Sequence, residues 1–255
     1  MTNTPILGQR LIPPLAKLEP RLVVFDKDGT LIDFHAMWGN WLTELARRLE
    51  QASGQAIAGQ LYAAMSFDAA AGHIDPAGIL ALAPLVEIRA ATVAVMRAAG
   101  LSGDRAEAAV AAAWHTPNPV TLAKPVTNLV GLFGALHWLG IRVAIATSDD
   151  RALTEATLNS LQLAPLVDAL ACADDGRPIK PAPDMLLALC AELGVAPAKT
   201  VMVGDNVPDM QMGRAAGAGL AIGVLSGIGS ATDLAADADM LLPSIAEMFV
   251  GGVSP

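Results

Sequence analysis

The stretch Leu22-Val23-Val24-Phe25-Asp26-Lys27-Asp28-Gly29-Thr30-Leu31 decides how the chain is read. Four apolar residues, two of them β-branched, end abruptly at a carboxylate. That is the pattern of a strand buried on both faces of a parallel sheet, opening into a loop at its carboxyl end. A second acid two residues on, followed by a glycine, implies a tight turn that presents two carboxylates together. In doubly wound sheets ligands bind outside the carboxyl ends of the strands, so the polar residues after each strand are read as one set.

Working outward, helix and strand patterns alternate from residue 128 onward. Helices are expected over 128–139, 151–161, 183–193 and 209–216, and strands over 142–146, 167–173, 200–203 and 220–224. Gly140 and Gly194 fall where helix C-caps belong. This order predicts an α/β fold: a Rossmann-like parallel sheet covered by helices on both faces, three layers deep. Between the first strand and this region the character changes. Residues 36–116 are alanine-rich and helical, with Trp38, Trp41, Leu42, Leu45 and Leu49 at helical spacing and further helices over 84–99 and 104–115. Trp41 is read as core. Pro117 and Pro119 close the insert. The expected organisation is therefore a core of residues 1–32 and 121–255 with an α-helical cap over 33–120. Residues 1–20, with Pro5, Pro13, Pro14 and Pro20, are read as an extended lead-in.

Composition narrows the function classes. The chain has 255 residues, 53% of them hydrophobic, but much of that fraction is alanine and every long apolar stretch is broken by a polar residue such as His137 or Arg142. None reaches the ~18 to 20 residues that cross a bilayer. No basic segment followed by an apolar run opens the sequence, so a cytoplasmic location is expected. A net charge of −9 without a Lys/Arg stripe argues against nucleic acid as a partner. Cys172 and Cys190 lie in apolar stretches and read as buried, inert thiols.

Four segments carry the polar residues after the strands: 25–31; Thr147-Ser148-Asp149; Lys180-Pro181-Ala182-Pro183; and Val203-Gly204-Asp205-Asn206-Val207-Pro208-Asp209. In order and context they resemble the four motifs of the haloacid dehalogenase-like hydrolase superfamily, over residues 21 to about 245. The helical insert after the first motif resembles the phosphoglycolate phosphatase-like group. The resemblance implies Asp26 as a nucleophile that is transiently phosphorylated and Asp28 as the acid and base. It implies Thr147, Ser148 and Lys180 as ligands of the phosphoryl group. Mg²⁺ would be held by Asp26, the Asp28 carbonyl and Asp205, with Asp209, Gly29 and Asn206 in support.

The residue chemistry agrees. Like unit charges at 4 Å repel by about 4 kcal/mol at an effective dielectric near 20, so carboxylates facing a phosphate dianion need compensating charge, which Lys180 and a divalent cation would supply. The partner implied is a small phosphorylated metabolite. Asp28 disfavours a dehalogenase, which has no alcohol to protonate, and the lack of lysine over 31–123 disfavours a Schiff-base phosphonate chemistry. A sugar phosphomutase shares all four motifs and stays as the alternative. A non-catalytic phosphate-binding protein would have lost one of the acids or Lys180, and none is lost.

Three expectations are left balanced. His35 is read equally as a substrate contact and as a hinge residue. The loop over 68–76, with Gly72, His73 and Asp75, is read as turn chemistry that can also face substrate. Arg47, Arg48, Arg89, Arg97 and Arg105 are the candidates to bind a substrate carboxylate. Lys27 stands where family members often carry an apolar residue and receives no catalytic role.

Overall fold

The computed structural model describes residues 10–83 and 85–251. Its strands, in chain order, are β1 (Leu22–Phe25), β2 (Phe67–Asp68), β3 (His73–Ile74), β4 (Arg142–Ala146), β5 (Ala169–Ala171), β6 (Thr200–Gly204), β7 (Leu220–Val224) and β8 (Met240–Leu242). Six form one sheet in the order β5-β4-β1-β6-β7-β8, and every pairing in it is parallel. The α/β expectation is met.

The chain runs from the centre, β1, outward through β4 and β5 on one side and β6, β7 and β8 on the other. The order therefore reverses at β1, which makes the carboxyl end of β1 the crevice of the sheet. All four residues of β1 are buried. Leu22 and Val24 point to one face, where they join Ala144, Ala171 and Met202 against Met185, Leu186 and Leu189 of helix Asp184–Leu193 and Met212 of helix Val207–Ala216. Phe25 points to the other face and stacks on Phe133 of helix Leu129–Trp138, with ring centroids 5.4 Å apart. Burial on both faces is why these strands read as continuous apolar runs.

Contacts divide the chain into two compact units, residues 1–34 with 123–255, and residues 35–122. The second is built on helices Phe34–Ser53, Ala58–Ala64, Leu85–Ala98 and Gly103–Ala113. Its core is organised by Trp41, fully buried, whose ring meets Trp38 and Trp114 edge to face at 5.6 and 5.5 Å. The Trp41 indole N–H donates to the His115 carbonyl at 3.0 Å, satisfying its one polar atom.

Two expectations need correction. The lead-in is not wholly extended: Pro13–Leu18 is a helix, with both prolines in its first turn, where the missing N–H groups cost nothing. Pro5 lies outside the described residues, as does Pro84, the expected start of the 84–99 helix. The insert also contains a two-stranded antiparallel ribbon, β2 with β3, in the 68–76 segment. Asp68 Oδ1 accepts from the N–H groups of Ala70 and Ala71, and Asp75 Oδ1 from that of Ala77. Both acids thus build turns by local side-chain to backbone bonds, the turn chemistry considered for this loop.

Candidate active site

Asp26 follows the last residue of β1, and its N–H donates to the Val203 carbonyl of β6 at 2.8 Å, so the strand ladder fixes its backbone. Lys180 Nζ bonds Asp26 Oδ1 and reaches Asp209 Oδ1 at 2.7 Å. Both ion pairs are buried, and although burial works against the charge, Asp209 and Asp26 hold the ammonium above its ordinary value.

Asp205, after β6, is enclosed by backbone. The Ile228 N–H donates to its Oδ2 at 2.9 Å and the Thr30 hydroxyl to its Oδ1 at 3.2 Å. A Cβ on Gly29 would stand 2.3 Å from Asp205 Oδ2, and one on Gly227 only 1.9 Å. Gly29 also has φ +87°, so that position demands glycine twice over. Asp209 is held as N3 of helix Val207–Ala216: its Oδ2 accepts the Asn206 N–H at 3.1 Å, while Asn206 caps the same helix.

Burial, with Asp26 and Asp209 adding to it, pushes Asp205 well above the usual carboxylate range. Burial also raises Asp209 to about 6, against the opposing pull of Lys180. Asp26, Asp205 and Asp209 each offer an oxygen within 4.8 Å of the others. Three carboxylates and one lysine leave a formal charge of −2 in a buried space, and the donors are all oxygen. That set fits a small, hard divalent cation. The third carboxylate in the group is that of Asp209 rather than Asp28; the Asp28 atom expected at the metal is its main-chain carbonyl.

Asp28 has a different environment. Burial raises it to about 6 although Lys27 acts to lower it. Its Oδ2 accepts from Lys27 Nζ at 2.5 Å, whereas Oδ1 is, among the described residues, a buried side-chain oxygen with no hydrogen-bond partner. Lys27 is 1% exposed and also pairs with Asp149 Oδ2 at 2.9 Å. Burial opposes its charge, yet the two carboxylates keep the ammonium above its ordinary value.

A cavity of about 190 Å³ is lined by Asp26, Asp28, Phe34, Ser148, Lys180, Asp205, Asn206, Pro208, Asp209 and Ile228. Seven residues expected from sequence thus meet in one place. Thr147 is buried beside it: its N–H donates to the Ala171 carbonyl at 2.9 Å and its Oγ1 accepts the Asp149 N–H at 3.2 Å. His35 belongs to the helical unit. Its Nδ1 accepts the Ile74 N–H at 3.1 Å and its ring lies 4.6 Å from that of His73, which gives it a structural part in the ribbon. Arg47 and Arg48 pair with Glu44, and Arg89 and Arg97 with Glu107, so these four arginines have partners inside the helical unit.

Sequence reasoning passed over two parts of the site. One is Lys27. The other is the loop over 226–229, whose backbone holds Asp205 and whose Ser226 hydroxyl donates to the Gly29 carbonyl at 2.8 Å. The signal for it was Ser226-Gly227-Ile228-Gly229, a glycine-rich loop directly after an expected strand.

Comparison with known proteins gives the same family. A curated phosphoglycolate phosphatase from Rhodospirillum rubrum is 31% identical over 202 residues, covering 78% of this chain and 77% of that protein. An N-acetylmuramic acid 6-phosphate phosphatase from Pseudomonas aeruginosa is 29% identical over 96 residues, a match that covers 38% of this chain and less than half of that one, 42%. A solved subfamily IA hydrolase of the superfamily from Geobacter sulfurreducens shares the fold with a TM-score of 0.60 at 15% identity, over 89% of this chain and 93% of that one. The family model for haloacid dehalogenase-like hydrolases matches residues 20–217, which takes in β1, β6 and every acid of the cavity, and the chain belongs to that family.

Proposed function

We propose that this hydrolase is a Mg²⁺-dependent phosphatase that cleaves a small phosphate monoester through a phosphorylated Asp26. The observation that carries the reading is the meeting of Asp26, Lys180 and Asp28 in one cavity at the switch point of the sheet. An Asp26 oxygen attacks phosphorus, the ester P–O bond breaks, and Asp28 gives its proton to the departing alkoxide. Water then attacks the phosphorus and passes a proton to the Asp28 carboxylate. The Asp26–phosphorus bond breaks, and orthophosphate and both carboxyl groups are restored. Burial, by raising Asp28 to about 6, keeps part of it protonated near neutrality, as a general acid requires.

Lys180 neutralises part of the transferring group's charge, Ser148 lines the phosphoryl side, and buried Thr147 orders the loop between them. Mg²⁺, when held by Asp26, the Asp28 carbonyl and Asp205 with Asp209 in support, would supply the remaining charge neutralisation. A cavity of about 190 Å³ holds a phosphate and a cation but little of a leaving group. Choice among leaving groups falls to the inserted helical unit, in the role of a cap.

Relatives named for phosphoglycolate and for N-acetylmuramic acid 6-phosphate set the first panel, to which hexose phosphates are added. With Mg²⁺ the protein is expected to release orthophosphate from at least one ester, and chelation is expected to reduce the rate by at least about a hundredfold, the several kcal/mol that a cation contributes at such sites. Isomerisation of a sugar phosphate without orthophosphate release would select the mutase instead, and no turnover of any ester would end the reading.

A further inference from the structure

Lys27 sits between the two acids of the first motif, fully buried, in a chain whose other lysines number four. A lysine is seldom enclosed to this degree without a reason, and its charge demands partners. It has two. Nζ lies 2.5 Å from Asp28 Oδ2 and 2.9 Å from Asp149 Oδ2. These come from loops at the ends of adjacent strands, since β1 pairs with β4 in register Phe25 to Ile145. The ion pair therefore ties one oxygen of the Asp28 carboxyl, through Lys27, to Asp149 in the loop after β4. The other oxygen, Oδ1, is enclosed and has no partner, so Lys27 is what sets the orientation of a carboxyl whose side chain, 24% exposed, lines the cavity. An apolar residue at position 27 would leave the Asp28 carboxyl free to turn, because nothing else bonds Oδ2 among the described contacts.

We infer that Lys27, braced by Asp149, is a positioning residue that holds the Asp28 carboxyl by Oδ2 in the orientation from which it transfers a proton to the leaving oxygen. The inference rests on the phosphatase reading above. It differs from a packing role for Lys27 in what it predicts: loss of the ion pair should slow the first step, cleavage of the ester bond, only for substrates whose leaving group needs a proton.

The test is the ratio of kcat/KM on an alkyl phosphate to kcat/KM on p-nitrophenyl phosphate, which reports the ester-cleaving step alone and is independent of how much of a preparation is folded. Positioned acid–base groups contribute about 10²- to 10⁴-fold, so a misplaced one should forfeit at least about tenfold. Lys27→Met is expected to lower the ratio by at least about tenfold, while Lys27→Arg keeps the ratio within about threefold. An unchanged ratio in Lys27→Met, or an equal fall in Lys27→Arg, overturns the inference. Should Lys27→Met give no folded protein, Asp149→Asn decides. When Asp149 is lost Lys27 keeps Asp28 as a partner, so no buried charge is left unpaired, and the ratio should fall by about threefold or more. No fall there overturns it equally. Failure of the wild-type protein to hydrolyse any ester would instead remove the reading on which the inference stands, and is recognised before any variant is made.

Discussion

Asp26→Asn is expected to abolish turnover on every substrate the wild type hydrolyses, with the thermal transition preserved. The amide has nearly the shape of the carboxylate but is a poor nucleophile, and the strand that holds residue 26 through the Val203 carbonyl does not depend on the side chain. Removing one of three clustered carboxylates relieves repulsion with Asp205, and Lys180 keeps Asp209 as a partner, which together offset the lost ion pair with Asp26. The rate should drop by more than about a hundredfold, about 2.7 kcal/mol of barrier. Steady-state kcat beside a melting curve reads both halves. A variant retaining more than about one part in a hundred would remove Asp26 from covalent chemistry.

Asp28→Asn should have the next largest effect, and an uneven one. An amide neither protonates an alkoxide nor takes a proton from water, so hydrolysis of alkyl phosphates should fall by at least about a hundredfold. p-Nitrophenolate leaves without a proton, so with that ester the deficit in the first step should shrink, and only the general-base role in the second step should remain. Pre-steady-state kinetics separates the two. On the aryl ester the variant should show a burst of nitrophenol followed by slow turnover. Equal losses on alkyl and aryl esters with no burst would take the acid role away from Asp28.

Both predictions depend on residues that could be found without a structure, and the reason is geometric. Strands buried on both faces leave unbroken apolar runs, and β1, β4 and β7 were legible to the residue for that reason. Asp26 follows such a strand directly and Asp28 stands two residues further on, so locating the strand located both acids. β8 lacks the signal: two of its three residues are only half-buried at the sheet edge, and the run is too short to stand out. Helix Pro13–Leu18 was read as extended because its prolines count as breakers everywhere except the first turn, where they sit.

The rest of the site was illegible for a different reason. That Lys27 is buried and paired with Asp149 depends on the parallel register of β1 with β4, a contact across 122 positions that no local pattern encodes. The inclusion of Asp209 beside Asp26 is similar: a helix cap fixes one of its oxygens and Lys180 the other. His35 shows the reverse, a residue with functional chemistry whose Nδ1 is engaged by the ribbon of its own unit.

The central claim is that Asp26 carries the phosphoryl group. It is tested most directly by quenching the enzyme with acid during turnover of a ³²P-labelled ester, reducing it with borohydride, and mapping the product by mass spectrometry. An acyl phosphate at residue 26 is reduced to homoserine, so the peptide containing Phe25 and Lys27 should carry label before reduction and homoserine at position 26 after it, with neither in Asp26→Asn. Label on another residue, or orthophosphate release with no labelled protein at any quench time, would contradict the account.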